Sequence, residues 1–92
     1  MTITEDLLNK ITDLSRDLTP ISEISILLHI DYDELSELIR DRQSDVSQAY
    51  HLGRAETAHK MRVQEIEMAD AGSPMAVALV NQYLRDMDND TD

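Results

Sequence analysis

Glu56 and His59 stand three residues apart, the E-x-x-H spacing with which di-iron carboxylate bundles turn two ligands to one helix face. Such a centre needs further glutamates on neighbouring helices, and none stands at matching spacing, so no metal is expected. Asp86, Asp88, Asp90 and Asp92 alternate like calcium-loop ligands. The glycine and closing glutamate of such a loop are missing, and the run reads as an acidic tail. With no cysteine there is no thiolate metal site and no cysteine nucleophile. Neither a phosphate-binding glycine loop, nor a Ser-His-Asp set, nor a pair of catalytic carboxylates can be drawn. No cofactor and no enzymatic activity are expected; a metal-dependent bundle is the weakest of three readings. The chemistry left is that of cations: Arg40, Arg42, Arg54, Lys60 and Arg62 could meet phosphate, and Arg40 alternatively a guanine edge. For Lys60 and Arg62 the competing use is helical pairing with Glu56, Glu65 or Glu67.

These cations work against the rest of the chain. The net charge is −11, from 19 acidic and 8 basic residues, which excludes a general positive coat for nucleic acid. Acids crowd the first forty-two positions and the stretch 86–92, whereas 43–85 is nearly neutral and locally positive around Arg54, Lys60 and Arg62. One copy would hold DNA weakly; many copies in one assembly would repeat the patch and gain by avidity.

The elements that must position these residues are helices. Hydrophobic residues make up 41% of 92 positions, without Phe or Trp, so the core must be aliphatic. Two glycines and two prolines allow few tight turns, and an all-α fold follows. A Thr4 cap opens a first helix reaching about 17, with Leu7, Leu8, Ile11, Leu14 and Leu18 on its inner stripe. Thr19 can cap a second helix over 20–28, with Pro20 in its first turn. Asp31 and Glu34 start a third over 32–42 in a D-x-x-E pattern. Between them His29 and Ile30 form the turn. Ile21, Ile24, Leu28, Ile30, Leu35 and Leu38 then fall where a helix-turn-helix buries its inner face. A fourth helix starts near a Ser44 or Asp45 cap and ends at Gly72. Gly53 inside it marks either close approach of another backbone or a local break. Ser73-Pro74 opens a fifth, ending near Met87. The short link between the last two forces an antiparallel hairpin.

The resulting division, within one compact domain overall, is 1–43 for the helix-turn-helix unit, 44–87 for a hairpin that oligomerises, and 88–92 for a disordered acidic tail. The third helix would offer Tyr32, Asp33, Ser36, Glu37 and Arg40 to a duplex. Tyr32 and Ser36 could bond phosphate, sugar or base; the two acids oppose phosphate. On the hairpin, Ala49, Leu52 and Ala55 with Met75, Ala78 and Val80 exceed what one hairpin can cover, which points to self-association, with a partner protein as the alternative.

At this point the chain resembles the small terminase subunits of tailed bacteriophages. The likeness rests on LTPISEISILLHIDYDELSELI and on AYHLGRAETAHKMRVQEIEMADAGSPMAVALVNQYL. The second block is similar to the family's A-Y-x-x-G-[RK]-A start, its A-x-x-G-[NS]-P turn and a helix closing in Y-L. The resemblance implies a non-enzymatic subunit of viral genome packaging. Such a subunit recognises DNA near the packaging start, forms a ring through a helical hairpin, and recruits a large subunit that holds the ATPase and nuclease. The chain departs from the pattern at His29, where the turn usually has Gly, and in its acidic reading helix. An acidic helical adaptor that binds only proteins is the alternative. A basic, apolar leader is missing at the N-terminus, and the longest apolar runs are far short of the ~20 residues of a membrane span. A soluble, cytoplasmic protein is expected.

Overall fold

A computed structural model describes residues 2–90. They form five helices and no strand: α1 (Glu5–Arg16), α2 (Ile21–Leu28), α3 (Tyr32–Arg40), α4 (Asp45–Asp70) and α5 (Pro74–Asn89). Local chemistry sets most boundaries. The Thr4 hydroxyl accepts from the Leu7 amide, Asp31 from the Glu34 amide and Ser73 from the Ala76 amide, each satisfying an amide the helix itself leaves open. Gly72, at φ 97°, ends α4, with the Ser73 amide donating to the Met68 carbonyl.

Two turns use the same geometry without glycine. His29 is left-handed (φ 57°, ψ 45°), and the Ile30 amide closes α2 on the Ser25 carbonyl. Leu18 is left-handed at φ 60°, with the Thr19 amide donating to the Leu14 carbonyl. This second turn corrects two expectations. Leu18 lies beyond α1, 58% exposed, rather than on its inner stripe. Thr19 does not cap α2: its amide is spent on closing α1, and Pro20 takes the cap position with no side-chain bond.

The described residues divide into two compact units between Thr57 and Ala58. The N-terminal unit holds α1, α2, α3 and the first half of α4. Its core is Ile11, Ile24, Leu35, Ile39, Val46 and Ala49, flanked by half-buried Leu7, Leu8, Leu14, Ile21, Leu28, Ile30, Leu38 and Tyr50. The first half of α4 is fastened to α3 and to α1 within this unit. At its start, Ser44 Oγ donates to the Leu38 carbonyl (2.5 Å) and Ser47 Oγ to the Ile39 carbonyl (2.7 Å), giving partners to carbonyls at the end of α3. Further along, Gly53 is buried against α1 and the Thr57 hydroxyl donates to the Arg16 carbonyl. The helix runs through Gly53 unbroken, so close approach is its use.

The C-terminal unit is the hairpin of α4 from Ala58 onward and α5. It is antiparallel, as the Arg62–Tyr83 contact across a link of three residues requires. Ala76 is the one buried residue of this unit among those described. The fifth helix reaches Asn89 with Asp90 as its cap, so 88 and 89 are helical rather than part of a tail; 91 and 92 lie outside the described residues. Among the described residues, no helix is long and apolar enough to cross a membrane.

Candidate nucleic-acid and assembly surfaces

The three buried positions of α3 are Leu35, Ser36 and Ile39, which turn the rest of the helix outward. Tyr32, Asp33, Glu37 and Arg40 are exposed as expected of a reading face. Ser36 is not: it is 7% exposed, and its hydroxyl has no hydrogen-bond partner among the described residues. It is turned inward with Leu35 and Ile39 rather than outward with Tyr32 and Arg40. Asp33 and Glu37, one turn apart, place two negative charges on the outer face of α3, opposed only by Arg40 at its end.

The cations belong to different units. Arg40, Arg42 and Arg54 are exposed in the N-terminal unit, and none has a carboxylate partner among the described residues. Arg54 lines a shallow pocket of about 110 Å³ with Ser15, Leu18, Thr19, Pro20 and Tyr50, beside the start of α2. A helix start and an arginine together favour an anion. Lys60 and Arg62 lie in the C-terminal unit. They do not pair with Glu56, which reaches α1 instead, 3.4 Å from Arg16. Arg16 also donates to Asp13 at 2.9 Å, and its hydrogen bond to the Glu56 carboxylate chiefly, then that to Asp13, raises its pKa above the usual arginine value. Both bridges are open to solvent and add little stability. Arg62 stacks over the Tyr83 ring, 5.7 Å from its centre.

The metal motifs come apart in the same way. Glu56 is engaged by Arg16, His59 is exposed, and no three His, Asp or Glu among the described residues are placed to hold an ion. Asp86 and Asp88 lie on α5, where alternate residues point to different sides, and Asp90 caps its end.

Among the assembly residues, Leu52, Ala55, Met75 and Ala78 are exposed, Met75 by 80%. Ala49 is not available, because it closes the core of the N-terminal unit. Val80 is half-buried and faces the groove between the two helices of the hairpin. The sequence reading missed other apolar residues left open on the hairpin: Val63, Ile66, Met68, Leu79 and Leu84. It also missed Ile26 and Leu27 on α2, exposed by 71% and 56%. Runs such as Ile26–Leu28 carry the signal, since three successive apolar residues on a helix spread over more of its circumference than one packed face can bury.

No protein-family model, curated protein or solved structure matches the chain.

Proposed function

We propose that this chain is a non-enzymatic, self-associating DNA-binding subunit of the small-terminase kind, working in viral genome packaging. The observation that carries the reading is the α2–α3 pair. The two helices are joined by a left-handed turn at His29, α3 shows Tyr32 and Arg40 on its open face, and Arg54 stands beside the start of α2. That arrangement lets α3 approach a groove while Arg54 and the start of α2 take a phosphate. Tyr32, Arg40, Arg42 and Arg54 supply phosphate and sugar contacts, and Arg40 is the best candidate for a base edge. Lys60 and Arg62 add charge from the hairpin. The exposed apolar residues of the hairpin support assembly of several copies, which the weak charge of one copy requires. A large terminase subunit is the partner such an assembly would recruit.

A second reading, a protein-binding adaptor, draws on Asp33 and Glu37 on α3 and the open Ile26 and Leu27 on α2. A mobility shift on duplex DNA, including sequence adjoining the gene, separates the two. DNA binding predicts a shift at low salt that fades steeply with added salt and is lost in the Arg40→Ala/Arg54→Ala variant. No shift at low salt, from a protein shown folded by circular dichroism, leaves the adaptor reading.

A further inference from the structure

The hairpin of the C-terminal unit is not closed along its length. Beside the Arg62–Tyr83 stack, α4 and α5 part to leave an open groove of about 570 Å³. Ile66, Val80, Leu84 and Met87 give it an apolar floor, and Ile66, Leu84 and Met87 are exposed by 45%, 56% and 66%. On α5, Val80, Leu84 and Met87 recur at i, i+4 and i+7, so the floor is a continuous stripe about two turns long. Its border carries Asp86 and Asp90. Arg62 is at the same groove, with its guanidinium over the Tyr83 ring.

The acids stand where the helix itself does not want them. The C-terminal end of a helix is its negative end and favours cations, yet the last turn of α5 has no basic residue. An apolar floor with a negative border beside a negative helix end specifies an occupant that is apolar on one face and positive at its edges. A second copy does not fit in the groove, since an acidic chain would meet the acids at its border; assembly of copies rests instead on Met75 and Ala78, on another side of α5. Nucleic acid is refused for the same reason and offers no apolar stripe.

We infer that this groove is a docking site for a basic amphipathic helix of another protein. Aliphatic anchors at i, i+3 or i+4, and i+7 would lie on Ile66, Val80, Leu84 and Met87, with lysines or arginines against Asp86, Asp90 and the end of α5. The site is separate from α3, and it stands whether or not α3 meets DNA.

The test uses the full chain and two fluorescein-labelled helical peptides of about 14 residues, with the same leucine face and either lysine or glutamate at the edges. Fluorescence polarisation should show the lysine peptide binding at least about tenfold more tightly than the glutamate one. Asp86→Lys/Asp90→Lys should reverse that order. Asp33→Lys/Glu37→Lys, an equal charge change on α3, should leave it intact. Leu84→Gln should weaken the lysine peptide by about tenfold with the charges untouched. Light scattering should give the same mass for the parent and for Asp86→Lys/Asp90→Lys. Equal binding of the two peptides, or equal loss from the α3 variant, would overturn the site as general attraction between opposite charges. Absence of lysine-peptide binding, or a changed mass in the charge-reversed variant, would overturn it in favour of a second copy in the groove. Neither outcome bears on the DNA shift of the Arg40/Arg54 variant, so the two proposals fail separately.

Discussion

Gly53 on α4 lies directly against Ser15 on α1. A Cβ added at Gly53 would stand 2.9 Å from the Arg16 amide nitrogen, and closer still to the Ser15 hydroxyl and the Thr12 carbonyl oxygen. Ser15 is itself 2% exposed, its hydroxyl turned back to the Thr12 carbonyl at 3.0 Å. Two helices meet backbone to backbone because one residue has no side chain and the other has a small one that satisfies itself. The bond from Thr57 to the Arg16 carbonyl, one turn further along α4, holds the same crossing.

Gly53→Ala is therefore expected to destabilise the protein, although alanine improves a helix by about 1 kcal/mol over glycine. The Thr12 and Arg16 atoms in the way are backbone and cannot swing aside, so α1 must shift, at an overpacking cost of about 1–3 kcal/mol or more. A thermal melt at or above that of the parent would show that the crossing is looser than drawn.

Leu35→Ala should cost about 2–5 kcal/mol, since the side chain is wholly buried in the core of the N-terminal unit. Leu28 packs on that core but is half-buried, and its replacement by alanine should cost less. Denaturant unfolding compares the two; an equal or reversed order contradicts the packing of α2 on α3.

The buried serines give opposite expectations. Ser47 donates to the Ile39 carbonyl, so Ser47→Ala leaves that acceptor without its bond and should cost about 1–3 kcal/mol. Ser36 is buried with no partner, so Ser36→Ala should be neutral or stabilising by about 1 kcal/mol, and should leave any DNA shift unchanged. If Ser36→Ala weakened DNA binding in a folded protein, its hydroxyl would have to be turned outward.

His29→Gly should raise stability by up to about 1 kcal/mol. The left-handed backbone costs a side chain that glycine does not carry, and part of the gain returns as entropy of the unfolded chain. A lower melting temperature for His29→Gly would mean that the imidazole makes a contact stronger than the strain it bears.

Self-association rests on the exposed faces of the hairpin. Met75 and Ala78 share the side of α5 turned away from the buried Ala76. Met75→Glu/Ala78→Glu should accordingly lower the mass measured by light scattering while helix content is kept. A parent of 10.5 kDa at micromolar concentration would end the assembly claim.

What the chain declares by itself is local. Thr4, Asp31, Ser73-Pro74 and Gly72 mark helix ends because a cap or a left-handed stop is a matter of four or five neighbouring residues, and those four ends lie where their residues place them. The apolar spacing identified Ile24 and Leu35 as core for the same reason. Leu18 escaped, since nothing in its type favours a left-handed turn; the choice was made by α2 having to start where it could pack. Ser36 is buried and Ala49 joins the core of the N-terminal unit, which spacing along one helix does not report. Arg16 and Glu56, forty positions apart, became partners only through the crossing at Gly53. That crossing also holds the first half of α4 in the N-terminal unit, which runs to Thr57. Short-range hydrogen bonding is written residue by residue; which surfaces are spent inside the chain is decided by contacts between distant segments, each competing for the same limited core.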